Sequence, residues 1–219
     1  MDAGYFLKKR TNFIRFYYDT GIPAFAEVRR CIEDELPPYD DPPWSDDGEP
    51  AYLDEWMDTA TAEQILGLSC VSLLSDSIKL YFHTLQRRVI RFQFQDERAA
   101  FKKGFLAANL QALGEILELD WSECPADLGI IEQIVLARNR GQHGTDLTSL
   151  DVVHDGKTLE KYPAPLFASE SELKDWPRTE GSLSWFLMPR LKVSKENLFE
   201  ALEEVETLAD WLDSKIYAP

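Results

Sequence analysis

Residues 65–85, ILGLSCVSLLSDSIKLYFHTL, decide the fold of this 219-residue chain. They belong to a longer periodic segment from Leu53 to about Val89, and between residues 65 and 85 the apolar side chains cover more than half of the helix circumference. A helix with so wide an apolar surface is expected at the centre of a bundle. At 1.5 Å per residue the segment would be roughly 50 Å long, so we expect a kink near Gly67.

Other parts of the chain show the same helical spacing of apolar residues. Three further helices are predicted, over residues 97–118, 126–143 and 194–216. Residues 3–19 carry a helical period with an aromatic face, and Pro23 is placed to begin a second N-terminal helix that runs to Leu36. The proline-rich, acidic residues 37–50 are predicted to form an exposed loop.

The pattern changes between the last two predicted helices. Leu150–Val153 and Thr158–Tyr162 flank the dipeptide Asp155-Gly156, which is typical of a hairpin turn, and Leu187–Val193 could add a strand. We therefore predict a mainly all-α protein, a bundle of four to five helices with a small β-hairpin insertion before the last helix.

The length of the chain fits a single domain that spans residues 1–219. Four parts follow one another along it: the N-terminal helices and acidic loop (1–50), the bundle core (51–145), the β or irregular insertion (146–193) and the closing helix (194–219).

The charge of the chain is strongly negative but unevenly spread. It carries 23 basic and 39 acidic residues, a net charge of −16. A protein that binds a nucleic-acid backbone generally needs clustered lysine and arginine, so this balance argues against nucleic acid. The basic residues nevertheless gather in short groups: Lys8–Arg15, Arg29–Arg30, Arg87–Arg91, Lys102–Lys103 and Arg138–Arg140. A local basic cleft inside an acidic shell, an acidic surface for a basic partner protein, and plain solubility all fit this distribution.

Cysteine usage and hydropathy indicate the compartment. Cys31, Cys70 and Cys124 are an odd number without CxxC spacing, which favours reduced thiols. We find no apolar run of the roughly 20 residues that a membrane span needs, and no N-terminal signal peptide pattern. These features predict a soluble cytoplasmic protein.

One stretch of six residues, RNRGQH at 138–143, has the composition of a catalytic site. Arg138 offers a bidentate donor for a phosphate oxygen. His143, near the C-terminus of a predicted helix, would favour its protonated form and suits a general acid or a phosphate contact. Asn139 could orient either group or contact a ribose hydroxyl. Arg140 and Gln142 in the same stretch are candidate substrate contacts.

Geometry and charge leave two interpretations of this stretch open. On an ideal helix residues 138 and 143 lie about 140° apart, so they converge only if the helix end distorts, which Gly141 would permit. A facing copy of the same helix from a second subunit would bring the pairs together more easily. Alternatively, Arg138 and Arg140 balance the acidic surface, and His143 complements the negative end of the helix dipole.

The other two histidines are weaker candidates. His83 shares one helix face with Asp76 and Lys79, so Asp76 could orient it for catalysis, and a stripe of surface charges accounts for the same spacing. His154 precedes the predicted Asp-Gly turn, where an exposed histidine is the usual situation. No histidine has a metal-ligand partner at suitable spacing, and no glycine-rich phosphate loop is present, so we expect no metal and no cofactor.

The stretch resembles the motif of the HEPN family, the higher eukaryote and prokaryote nucleotide-binding proteins. Members are bundles of four to five helices with an arginine, a polar residue and a more distant histidine late in the bundle. Arg138, Asn139 and His143 stand at these three positions, and the resemblance covers residues 54–143 with 194–216 as the closing helix.

The resemblance implies metal-independent RNA cleavage in a composite site formed by two HEPN domains, often in toxin–antitoxin, abortive-infection or CRISPR-linked defence. One subgroup, the toxins paired with nucleotidyltransferase antitoxins, has a tyrosine two positions after the histidine. Thr145 stands there in this chain, so the resemblance does not extend to that subgroup.

We therefore expect a HEPN-like endoribonuclease that acts on RNA as a homodimer, without a metal, with an antitoxin or another protein as a possible further partner and with no membrane. Arg138 would bind the scissile phosphate, His143 would transfer a proton or stabilise the leaving group, and Asn139 would orient them. The ribose 2′-hydroxyl would be the nucleophile, giving a 2′,3′-cyclic phosphate. The rival hypothesis, which the net charge of −16 favours, is a non-catalytic helical module that binds a partner protein or a nucleotide.

Overall fold

The structure, a computed structural model, describes residues 2–43, 48–142, 150–175 and 188–217. Its α-helices within these ranges are α1 (Ala3–Glu33), α2 (Leu53–Thr84), α3 (Glu97–Ala100), α4 (Phe105–Leu117), α5 (Leu128–Gly141), α6 (Gly156–Lys161), α7 (Glu170–Asp175) and α8 (Lys195–Ile216). The described residues form no β-strand, so the prediction of a mainly all-α protein is confirmed.

The N-terminal part is one long helix where two were predicted. The side chain of Asp2 accepts a hydrogen bond from the Tyr5 amide at 2.8 Å, and α1 then continues through Pro23 to Glu33. A proline inside a helix removes one backbone hydrogen bond. Here Ile22 and Phe25 pack against the core on either side of Pro23, so tertiary packing keeps the helix continuous.

The central helix is confirmed. α2 passes without interruption through Gly67, and a π-helical turn, Leu85–Val89, extends it. Gly67 allows a close approach to the insertion: a Cβ atom added there would lie 2.6 Å from Val193 Cβ, and the kink expected there stays a prediction. Over Leu53–Val89 the helix is long and apolar enough to cross a membrane, a property that core helices of bundles share, and 56% of its most apolar stretch is buried inside the protein.

The helix predicted over 97–118 is divided in two. Gly104, at φ 101° and ψ 155°, ends the short turn after α3 and precedes α4. This positive φ is accessible mainly to glycine, which has no Cβ atom. Because Phe101 and Phe105 keep the helical spacing of apolar residues across Gly104, the sequence pattern gave no sign of this break.

The last two long helices agree with the prediction. Asp127 begins α5 by accepting hydrogen bonds from the amides of Gly129 and Ile130. Ser194 and Asn197 form a capping box at the start of α8, in which each side chain accepts from the backbone amide of the other residue.

The predicted β-hairpin is wrong where the structure describes it. Residues 156–161 are helical, because the Asp155 side chain accepts hydrogen bonds from the amide and hydroxyl of Thr158 and so acts as a helix cap. The only β contacts in the described ranges are two isolated bridges, Val153 with Arg190 and Ala168 with Leu191. Part of the strand predicted over 187–193 lies outside the described residues.

The core of the bundle lies between four long helices. α1 packs along α2 and α8, α2 packs along α5, and α5 also contacts α8. Among the largest buried side chains are Ile14, Leu74, Phe82, Ile134, Leu202 and Leu212. This packing leaves the C-terminal end of α5 at the edge of the bundle, beside the middle of α2.

Candidate site at the C-terminal end of α5

The buried side of α5 fixes the position of Arg138. Ile131, Ile134 and Ala137 are buried against the bundle, and Arg138 follows Ala137 directly. Its side chain is 29% exposed, so the aliphatic part lies against the protein while the guanidinium reaches the edge of α2. The backbone of α5 therefore holds Arg138 in place from a well-packed helix.

The guanidinium of Arg138 has few partners among the described residues. Its Nη2 lies 3.7 Å from Asp76 Oδ1 on α2, too far for a hydrogen bond, and its Nη1 donates to Asn139 Oδ1 at 3.3 Å. Its Nε is buried and has no hydrogen-bond partner in the described structure. Because Nε is buried, an anion can reach at most the four N–H donors of Nη1 and Nη2, and one of these four bonds to Asn139.

A groove of about 670 Å³ opens beside this pair. Asp76 and Gly141 line one part of it, so it lies next to Arg138. Its other walls are mainly apolar and come from α1, α2 and the start of the insertion: Phe13, Tyr17, Ile65, Leu68, Leu73, Leu150 and Val152, with Ser69, Ser72 and Asp151. Phe13 and Tyr17 form a stacked pair with ring centroids 6.1 Å apart.

The other residues of the motif are placed differently. Asn139 is exposed and contacts Arg138. Arg140 points to the insertion, where its Nε donates to the carbonyl of Val153 at 3.0 Å, so at least one of its donors has a structural use. Gln142 is exposed at the end of α5. His143 lies outside the described residues.

His83 lacks the Asp76 partner of its catalytic interpretation, and its partly exposed position near Lys79 and Arg87 agrees with the alternative, a stripe of surface charges. Asp76 pairs with Arg138, whereas the ring of His83 packs against Phe105 at 5.4 Å. Burial, followed by the nearby Arg87 and Lys79, lowers the pKa of His83.

His154 is buried, not exposed in a turn as the sequence suggested. It is 3% exposed, and its Nε2 lies 2.9 Å from the carbonyl oxygen of Phe167. Burial lowers its pKa, so the neutral ring is favoured as part of the scaffold of the insertion.

The sequence did not reveal two features of the site. Asp76 belongs to it through Arg138, and Phe13 and Tyr17 contribute an aromatic wall. Their helical spacing was visible, but the pairing of α2 with α5 depends on tertiary packing. Within the described ranges no three His, Cys, Asp or Glu side chains are grouped so that they could hold a metal ion.

Comparison of the chain with known protein families, with curated proteins and with solved structures yields no match. The function of the protein is therefore inferred from the geometry around Arg138 and from the motif itself.

Proposed function

We propose that this protein is a metal-independent endoribonuclease of the HEPN type, a cytoplasmic enzyme of a toxin–antitoxin or phage-defence system. The observation that supports the proposal is that Arg138, beside an open groove, keeps N–H donors of Nη1 and Nη2 without a hydrogen-bond partner in the described structure. Asp76 lies 3.7 Å from Nη2, which is an ion-pair distance but too far for a hydrogen bond.

The proposed chemistry assigns one role to each residue of the motif. The Arg138 guanidinium binds two non-bridging oxygens of the scissile phosphate and stabilises the charge that develops on them. The ribose 2′-hydroxyl loses its proton to a base and attacks phosphorus. The bond to the 5′-oxygen then breaks, and this oxygen takes up a proton. His143 carries out proton transfer, and Asn139, already bonded to Arg138, keeps the guanidinium oriented.

A second copy of the chain would complete the site. The groove next to Arg138 exposes apolar side chains, including Phe13 at 55% and Ile65 at 42%. Exposed apolar surface of this kind is typical of a protein interface. If two grooves face each other across a two-fold axis, the two Arg138 residues come to one shared cleft, and each copy supplies one His143.

The catalytic proposal is tested by incubating the purified chain with total RNA in excess EDTA, beside His143→Ala. We expect fragments that end in 2′,3′-cyclic phosphate from the wild type and none from the variant. The melting temperatures should agree within a few degrees, because a helix-end histidine contributes only ~1 kcal/mol to stability. Cleavage by His143→Ala at the wild-type rate would contradict the proposal.

The dimer is tested with two variants of the same helix. Phe13→Asp places a charge in the groove, whereas Phe16→Asp places it at an exposed position of the same helix that does not line the groove. Light scattering at micromolar concentration should give a dimer for the wild type and Phe16→Asp, and a monomer for Phe13→Asp. A wild-type monomer would rule out the shared site.

The second candidate function is a non-catalytic module that binds a partner protein. The apolar groove with its stacked Phe13 and Tyr17 favours it, because such a surface fits an apolar segment of another protein. RNA cleavage distinguishes the two candidates. A binding module leaves RNA intact, and His143→Ala does not change its binding to the partner.

A further inference from the structure

One segment of the chain is positively charged although the protein as a whole is negatively charged. Residues 79–103 hold seven of the 23 basic residues and only two of the 39 acidic ones. The segment therefore carries +5 in a chain whose net charge is −16. It includes the C-terminal part of α2, the π-helical turn and α3, and all of it lies within the described residues.

Most cations of this segment are available for a ligand. Six of them are exposed and make no ion pair or side-chain hydrogen bond with any described residue: Lys79, Arg87, Arg91, Arg98, Lys102 and Lys103. Elsewhere many basic side chains are paired, for example Arg29 with Glu63 at 3.0 Å and Lys195 with Asp19 at 2.7 Å. In an acidic protein, a group of unpaired cations indicates a surface where an anion can bind.

A chain of aromatic contacts runs through the same segment and on to Phe105. His83 contacts Phe105, Phe105 contacts Phe101, Phe101 contacts Phe94, and Phe94 contacts Phe92, with ring centroids 5.2–5.7 Å apart at each step. These five rings are neither fully buried nor fully exposed. Phe94 and Phe101 contact each other and are absent from the side chains that pack on the core. We call the six cations and these rings the basic aromatic surface.

The basic aromatic surface begins next to the candidate site. Lys79 and His83 follow Asp76 on one face of α2, at one and two turns. Arg87 lies roughly 16 Å beyond Asp76 at 1.5 Å per residue. An extended strand bound at Arg138 could therefore continue along this surface. Burial is the main cause of the lowered pKa of His83; Arg87 and Lys79 lower it further and Glu97 opposes them, so two of the cations lie close to this ring.

We propose that the basic aromatic surface binds single-stranded nucleic acid, with its cations on the phosphates and its phenylalanine rings against the bases. Positively charged grooves combined with aromatic rings are the usual means of binding single strands without strict sequence preference. A duplex would keep its bases stacked and leave the rings without a partner. The choice of RNA as the polymer rests on the proposed function, whereas the binding surface itself depends only on charge and ring geometry.

The test measures binding separately from cleavage. The probe is a fluorescent 20-nucleotide oligo-uridine with 2′-O-methyl groups, which lacks the nucleophile that the proposed reaction needs. Its affinity for the full chain is measured by anisotropy at several salt concentrations. The variant Arg87→Glu/Arg91→Glu/Lys102→Glu is compared with a charge-matched control, Lys157→Glu/Lys174→Glu/Lys192→Glu, whose lysines are exposed and lie outside the surface.

We expect the first triple variant to bind at least ten-fold more weakly than the wild type, and the control less than three-fold more weakly. The slope of log affinity against log salt should fall by about 2 in the first variant, since each lost phosphate contact on a single strand contributes about 0.7. An equal loss in both variants would show a general charge effect and overturn the proposal.

The rings are tested without changing the charge. Phe94→Ala should weaken binding roughly five-fold or more, because stacking on one aromatic side chain contributes about 1–3 kcal/mol. Phe16→Ala, at an exposed aromatic position on α1, should bind as the wild type does. Unchanged melting temperatures for both variants would confirm that the fold is retained. Wild-type affinity of Phe94→Ala would contradict base stacking.

Two further outcomes would also overturn the proposal. One is no binding of the oligo-uridine by the wild type at low salt. The other is tighter binding to vesicles that contain phosphatidylserine, lost in the triple variant, which would make the surface a membrane contact. Binding without cleavage of unmodified RNA would contradict the proposed function alone. Cleavage that persists in the triple variant, without measurable binding, would contradict this inference alone.

Discussion

Two arginines that lie between helices differ in their hydrogen bonding. Arg15 lies in the seam between α1 and α8, and Arg138 lies at the edge between α2 and α5. In the seam, Arg15 donates to both carboxylate oxygens of Glu206, at 2.5 and 3.2 Å, and Thr11, which is fully buried, donates to the same carboxylate. At the edge, Arg138 has a carboxylate 3.7 Å away and a buried Nε without a partner in the described structure.

This difference separates scaffold from site. Charged groups that serve only the fold are expected to be fully hydrogen-bonded, since a buried donor without a partner costs stability. The seam meets that expectation. The edge does not. Glu63 Oε1 and Asn109 Oδ1 are also buried without a partner in the described structure, so Arg138 is set apart by the groove beside it, where the proposed ligand would bind.

The largest effect on stability is expected in the seam. Glu206→Ala leaves the Arg15 guanidinium half-buried without its carboxylate, and we expect a loss of about 2–3 kcal/mol in the free energy of unfolding. For a chain of this length, Tm should fall by roughly 5–10 °C. Glu203→Ala, one turn away on the exposed side of α8, should change Tm by less than about 2 °C. Equal Tm values for the two variants would remove the contrast between seam and surface.

Two glycine substitutions allow the packing of the core to be compared with that of the edge. Gly67→Ala would bring a Cβ atom to 2.6 Å from Val193 Cβ, and we expect a loss of about 1–3 kcal/mol from overpacking. Among the described residues, Gly141→Ala would meet only Leu68, at an ordinary 3.6 Å, and should be neutral or add up to about 1 kcal/mol by favouring the helix. Urea unfolding of both variants measures the difference. A destabilised Gly141→Ala would mean that the end of α5 needs a distorted backbone.

The smallest expected effect is the change of stability with pH that comes from His154. Because burial lowers the pKa of His154, the unfolded chain takes up a proton near the ordinary value of about 6.5, whereas the folded chain does so only at lower pH. Stability from this group is therefore present above pH 6.5 and is lost as the pH falls toward the folded pKa. Asp155 and Glu172 oppose the shift, and Arg140 adds to it.

Urea unfolding at pH 7.5 and 5.5 tests this linkage through His154→Gln, which does not titrate. Between pH 7.5 and pH 5.5 the free energy of unfolding should fall more for the wild type than for the variant. The same comparison for His83→Gln should move less, because His83 is less buried. A difference that does not change with pH would contradict a lowered pKa in the folded state.

Local signals in the sequence were sufficient for the long helices. The helical spacing of apolar residues places the ends of α2 (with its π-helical turn), α5 and α8 to within two residues. These signals depend on neighbours three or four positions apart, which a single sequence contains. The same holds for the arginine and asparagine of the motif, both of which lie at the end of α5 as predicted.

Tertiary context decided the rest. Pro23 was expected to separate two helices, but packing on both sides of it outweighs the lost hydrogen bond. Asp155 was expected in a hairpin turn, and its side chain caps a helix instead. One of the two interpretations of His83 paired it with Asp76 through helical spacing, whereas the contact that Asp76 forms is with Arg138 on another helix. No spacing rule within one segment indicates such a contact.

The most direct test of the account is the RNA cleavage rate of Arg138→Lys, measured together with its Tm. Lysine keeps the charge but loses the bidentate fork, so cleavage should fall at least 100-fold, roughly 3 kcal/mol in the barrier, with Tm nearly unchanged. The matched control is Arg29→Lys, whose arginine pairs with Glu63, roughly 20 Å from Asp76 along α2. It should cleave at the wild-type rate. Full activity in Arg138→Lys, or equal losses in both variants, would contradict a site at Arg138.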